Sequence, residues 1–164
     1  MNKKPTSSDG LSAAFTLLEL LVVIAIIMLL SGILFPAFSY ARNQAKIVKA
    51  KSDVKQLEFA WKAVLSDYRT WLTAEVTTGN DQEMIQANVD YLQKGNPKHV
   101  LYMEFPAGTT NFTDPWKINN YHFALGTDSI TPKNHEKLFR DVGAWSYGKN
   151  KSATDIKNHV TSWK

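Results

Sequence analysis

The sequence predicts an α+β protein in which one long helix comes first and a small antiparallel sheet follows. Three observations carry that expectation. Residues 15–38 form an apolar run with a single charged member, Glu19. From Ile47 through Ala50, Val54, Leu57, Trp61, Val64, Tyr68 and Trp71, apolar residues recur at alternating spacings of three and four, the period of an amphipathic helix. Beyond Pro97 the period drops to two, as in half-buried strands. Helix first and strands later favours an α+β body over a doubly wound sheet. At 164 residues there is room for little more than one domain, and the absence of cysteine excludes disulfides, thiolate metal sites and cysteine nucleophiles. The net charge of +4 selects no partner by itself.

The run from Phe15 to Phe38 is expected to span a bilayer, since roughly 24 helical residues reach about 36 Å. A helix apolar on every face could not be covered by so small a body. A cleaved secretory signal is the alternative, with Lys3 and Lys4 as its basic region and Ser39-Tyr40-Ala41 before a cut at Arg42. Against it, the stretch from Leu20 to Phe38 exceeds an ordinary signal core, and a carboxylate precedes it. Glu19 is the most informative residue. A carboxylate inside a span costs about 2.5–3.5 kcal/mol on insertion scales. It either snorkels to the headgroups or meets a cation at bilayer depth. Cleavage before Phe15 would create such a cation as a free α-amino group.

The run Ala14-Phe15-Thr16-Leu17-Leu18-Glu19-Leu20-Leu21-Val22-Val23-Ile24-Ala25-Ile26 closely resembles the class III signal of type IV pilins and type II secretion pseudopilins. The resemblance implies a leader of residues 1–14, cut between Ala14 and Phe15 by a prepilin peptidase, with N-methylation of Phe15. It also implies that Glu19, fifth in the mature chain, pairs with the amino terminus of a neighbouring subunit. The family nearly always carries glycine before the cut, where Ala14 stands here. Pro36 falls where many pilins carry a helix-bending proline. Lacking an N–H, it leaves the carbonyl of Gly32 without a helical partner, and Gly32 itself weakens helix. The helix can therefore bend or melt at Gly32 and Pro36, either as a harmless kink or as the section that stretches within a filament.

Charge counting conflicts with the family's topology. Lys3 and Lys4 precede the span, but Arg42, Lys46, Lys49, Lys51 and Lys55 follow it, which taken literally puts the head in the cytoplasm. The resemblance implies the reverse, and it sets the expectation: a single pass through the bacterial inner membrane, N-terminus cytoplasmic and head periplasmic.

No proline or glycine lies between Phe38 and Gly79, so span and amphipathic segment are expected to join as one rod of roughly 58 residues, to Leu72, about 87 Å if straight. The divisions expected are a leader (1–14), a transmembrane helix (15–38), an amphipathic stalk (39–72) and a globular head (73–164). Thr77-Thr78-Gly79-Asn80 ends the rod, and Asp81 is placed to N-cap a short helix through Met84, Ile85, Val89 and Leu92, with Gly95 at its C-terminal end. The strand candidates are Leu101–Phe105, Tyr121–Leu125 and Val142–Tyr147, with 126–141 as a long loop.

Two stretches of the head are similar to major pseudopilins. Asp114-Pro115-Trp116-Lys117-Ile118-Asn119-Asn120-Tyr121-His122-Phe123 looks like their DPWGxPYxY segment, with Lys117-Ile118 in place of the usual glycine. Asp114-Pro115 starts a turn, Trp116 can bury against the stalk, and Tyr121 and Phe123 share a strand face. Trp145-Ser146-Tyr147-Gly148-Lys149-Asn150, then Thr154-Asp155-Ile156 and Trp163, resembles the family's C-terminal tail. That tail normally forms a calcium loop. Ca²⁺ takes six to eight oxygens with several carboxylates, whereas Asp155 is the one clear carboxylate, Asn150 stands where an acid is usual, and Lys149 and Lys151 repel a cation. A loop held by its own hydrogen bonds is favoured over a calcium site at Asp155 and Asn150, and no cofactor is expected.

Other chemistries find little support. His99, His122, His135 and His159 are dispersed, and Phe139 stands where an H-E-x-x-H motif starting at His135 needs its second histidine. No P-loop, G-x-S-x-G or G-x-G-x-x-G occurs, so no enzyme activity is expected. The sequons at Asn111 and Asn150 are of a kind common by chance. The basic collar, Arg42 to Lys62, could meet anionic lipid or DNA, but a solvated face with complementary charges between subunits is favoured and no nucleic acid is expected. The resemblance thus implies a structural subunit of a type II secretion pseudopilus. Its partners would be further copies of itself, minor pseudopilins, the prepilin peptidase, the inner-membrane assembly platform and membrane lipid. The alternatives are a pilin of a surface or DNA-uptake filament, or a membrane-anchored domain that never polymerises.

Overall fold

The computed structural model describes residues 15–71, 78–150 and 152–163. Helix α1 (Leu17–Tyr68) is 52 residues long and contributes to both compact units of the chain, Met1–Arg42 and Asn43–Lys164. In the first unit every described residue is exposed except the half-buried Ser31. Among the described residues, α1 is the one helix long and apolar enough to cross a membrane, and none of its most apolar window is buried.

The second unit is an α+β body. The Asn43–Tyr68 part of α1 buries Ala50, Asp53, Val54, Leu57, Glu58, Ala60, Trp61 and Val64, one face at the spacing read from the sequence. That face packs on an antiparallel sheet of four strands in the order β1 (Gly79–Glu83), β2 (His122–Leu125), β3 (Val142–Ser146), β4 (Val160–Thr161). The central register pairs Phe123 with Ala144 and His122 with Trp145. Tyr121, Phe123, Leu125, Val142 and Ala144 face α1 and join its core. Ala124, Trp145 and Tyr147 form a second cluster with Ile130, against which Leu138, Ala153 and Trp163 pack. β2 and β3 are therefore buried on both faces. Gly143 is needed for this close approach: a Cβ there would lie 2.7 Å from the Ile130 side chain and 3.0 Å from Trp163.

Several elements differ from the sequence expectation. α1 ends at Tyr68 rather than Leu72, because Arg69 turns to a left-handed φ of 59° and its N–H bonds the Leu65 carbonyl, an αL cap. Leu72 lies outside the described residues. Trp71 then turns inward, its Nε1 donating to the Gly126 carbonyl at 2.9 Å. Asp81 does not cap a helix; it lies in β1, where its carboxylate meets His122 Nδ1 at 2.7 Å and Lys133 Nζ at 3.0 Å. The helix begins five residues later as α2 (Gln86–Asp90), with Ile85 at the N-cap position. Asn111 Oδ1 accepts the Gln86 N–H instead, a cap supplied from a remote loop. A π turn, Tyr91–Gly95, continues α2. Leu101–Phe105 is not a strand. Met103 and Phe105 are buried as alternation requires, but the N–H groups of Tyr102 and Met103 both bond the Leu92 carbonyl and join no ladder. β1 and β4 lie outside the three strand candidates that the sequence offers. The stretch 126–141 contains no helix or strand and is bridged once, between Ile130 and Leu138.

Candidate functional site

The start of α1 is the site on which the sequence places most weight. Ala14 and the leader fall outside the described residues. Phe15 is exposed. Thr16 and Glu19 form a reciprocal capping box: the Thr16 N–H and hydroxyl both donate to Glu19 Oε2 at 2.8 Å, and the Glu19 N–H donates to Thr16 Oγ1 at 3.2 Å. Reading Glu19 as snorkelling or as an assembly residue missed this role. The T-x-x-E spacing of Thr16-Leu17-Leu18-Glu19 was the available signal. Both donors fall on one carboxylate oxygen, Oε2. Further along, the helix is continuous through Gly32 and Pro36, so the local melting that the proline permits is not expressed here. A Cβ on Gly32 would meet nothing within 4 Å.

The Asp114–Phe123 segment is built around a buried carboxylate. Asp114 Oδ1 accepts the N–H groups of Trp116 (3.2 Å) and Ile118 (3.3 Å), while Oδ2 accepts the Ser146 hydroxyl at 3.0 Å. Lys117 sits at φ 57°, in the left-handed region that a glycine would occupy at no steric cost. The turn therefore has a shape that suits glycine at the position Lys117 occupies. Trp116 is half-buried against the stalk, with Nε1 donating to Asn43 Oδ1 at 3.3 Å. Tyr121 and Phe123 are fully buried on the same face.

Two carboxylates of the stalk are spent inside the body. Tyr121 donates to Asp53 Oδ2 at 2.7 Å, tying α1 to the sheet. Burial pushes the Asp53 carboxyl above its usual range, against the Tyr121 hydrogen bond and the charge of Lys49. The same burial and the neighbouring carboxylate push the Tyr121 phenol far up. Glu58 is ringed by Lys62 at 2.6 Å, Arg140 at 3.4 Å and Lys55 at 3.7 Å. Burial pushes Glu58 up, but hydrogen bonds from Lys62 and Ser162 and the charges of Lys62 and Lys55 outweigh it and hold the group below its usual value.

Asp53 therefore opposes folding at neutral pH. A carboxyl raised in the folded state is most favourable below its unfolded value of 3.8, and the folded state loses that advantage as pH rises through the folded value. Asp53→Asn removes this slope and still accepts the Tyr121 hydroxyl, so it is expected to be at least as stable as the native chain at pH 7. Tyr121→Phe leaves the carboxylate unpaired and costs about 1.5–3 kcal/mol. Urea denaturation of both variants at pH 4 and pH 7 checks this. A pH slope unchanged in Asp53→Asn would remove Asp53 as its source.

In the tail, Asp155 is the acceptor around which the loop closes. Asp155 Oδ2 accepts amide N–H groups from Asn150 at 3.1 Å and Asn158 at 2.6 Å, so one oxygen is already held by donors rather than facing a cation. These hydrogen bonds hold Asp155 below its usual range. Among the described residues no group of three histidines, cysteines or carboxylates converges.

No family model, no curated protein and no solved structure matches the chain. The resemblance to pseudopilins rests on the residues themselves and on the order of the elements. A long apolar helix followed by a small antiparallel sheet is a pilin-like arrangement.

Proposed function

We propose that the chain is a structural filament subunit, a pseudopilin of a bacterial type II secretion system. It is cut between Ala14 and Phe15 by a prepilin peptidase, N-methylated on Phe15, held in the inner membrane by the 15–38 helix and assembled into a periplasmic pseudopilus with minor pseudopilins. The observation that carries the reading is the capped carboxylate at the head of an uncovered apolar helix. Glu19 stands at the first turn of a segment whose side chains are exposed on all sides, and such a surface needs lipid or other helices around it. With Oε2 engaged by Thr16, Oε1 is the oxygen that receives a neighbour's amino terminus. The role is mechanical: stored subunits enter the filament as Glu19 neutralises that terminus and the helices pack together.

Intact-mass and N-terminal peptide analysis of protein from its native membrane tests this. An N-methylated Phe15 is the expected terminus. An Arg42 terminus would mean a released secreted domain, and a retained Met1 a static anchor; either overturns the proposal.

A further inference from the structure

His135 and His159, 24 positions apart and unrelated by any sequence motif, meet on the outer face of the sheet. His135 Nε2 lies 3.0 Å from His159 Nδ1, with the ring planes inclined at 62°. The second nitrogen of His159, Nε2, is 2.9 Å from the Ser152 carbonyl. A carbonyl only accepts, so Nε2 carries a proton, and in the neutral ring Nδ1 is left with its lone pair aimed at His135. A ring whose far N–H is fixed by a backbone carbonyl is the arrangement that orients metal-binding imidazoles. His135 is held by edge-on contacts to Trp163 (5.1 Å, 90°) and Trp145 (6.3 Å, 71°).

We propose that His135 and His159 are the two protein ligands of a site for a divalent transition-metal ion of the zinc, copper and nickel class. Two nitrogens each about 2.0–2.1 Å from one ion stand roughly 2.8–3.4 Å apart, for angles between square-planar and tetrahedral. The observed 3.0 Å lies inside that range, and turning each ring by roughly 40° off the N–N line brings both lone pairs onto one ion in place of the proton the rings share. That proton passes to solvent. Imidazole ligands select against calcium and magnesium. A pocket of about 270 Å³ opens beside His135, lined by Asn134, Glu136, Leu138, Ile156 and Trp163. The ionised Asp155 is close enough to His159 for their charges to interact, and it favours a cation there, with Lys157 as the opposing charge. Binding adds a second tie between the 126–141 loop and the C-terminal tail, beside the Asn134 Nδ2 bond to the Ala153 carbonyl at 2.7 Å.

The test uses the untagged full-length chain in detergent, stripped of metal and titrated with Zn²⁺ by calorimetry and with Cu²⁺ by electron paramagnetic resonance. One equivalent should bind, the copper spectrum should show splitting from two imidazole nitrogens, and zinc should raise the melting temperature. His135→Gln and His159→Gln should each weaken binding at least about tenfold, while the exposed His99→Gln leaves it unchanged. Absence of binding below about 1 mM overturns the site, as does affinity unchanged in both variants. Should either variant fail to fold, the native chain decides: a copper spectrum with fewer than two imidazole nitrogens overturns the proposal.

Discussion

Glu19→Gln is expected to insert into the membrane as the native chain does and to yield no filaments. Glutamine in the third helical position still completes the capping box with Thr16, so the helix start survives while the negative charge is lost. Breaking a buried ion pair costs about 3–5 kcal/mol, which weakens each subunit addition by two orders of magnitude or more, on the order of 100-fold. Glu19→Ala removes both cap and charge and should fail equally in assembly. Thr16→Ala removes only the hydroxyl side of the cap, costs about 1 kcal/mol of helix stability and should assemble. The readout is the ratio of pelletable filament to membrane-extracted subunit. Normal filament yield from Glu19→Gln would leave Glu19 as a helix cap and nothing more.

Trp61→Ala should be the most damaging single change in the body. Trp61 is fully buried, stacked on Phe123 at 4.8 Å and Tyr91 at 6.0 Å and met edge-on by Trp71 at 6.5 Å. It is the residue at which stalk, sheet and the segment after α2 converge, so its loss opens a cavity that none of them can fill without moving. A cost of about 3–5 kcal/mol follows. Phe59→Ala, two positions away on the exposed face, should change stability by less than about 0.5 kcal/mol. Circular dichroism during denaturant unfolding in detergent measures both. Equal small losses from the two would mean that the stalk face does not carry the core.

The features legible in the sequence share one property: each is written in contiguous residues. The apolar run from Phe15, the three-and-four spacing that buries Val54, Leu57, Trp61 and Val64, and the strands at His122–Leu125 and Val142–Ser146 all follow from local periodicity. The capping box at Thr16 and Glu19 is equally local, written in the T-x-x-E spacing of four consecutive residues. By contrast, β1 is Gly-Asn-Asp-Gln-Glu, a composition that disfavours strand. It is a strand because β2 offers an open edge, with Asp81 held by His122 and Lys133 from elsewhere in the chain. β4 is two residues long and exists through its pairing with β3. The start of α2 depends on Asn111, and the burial of both sheet faces depends on a loop and tail with no period of their own.

The sequence by itself determined the α+β class, the uncovered apolar helix with a carboxylate in its first turn, and which face of the stalk is buried, because helical and strand periods are set by backbone geometry within a few residues. Only the tertiary structure decided that Asp81 is a strand residue, that Asp155 accepts the amides of Asn150 and Asn158, and that His135 meets His159. Each of those outcomes turns on hydrogen bonds or side-chain contacts between segments distant in sequence or on how a loop closes upon itself, and such contacts leave no periodic mark in the chain.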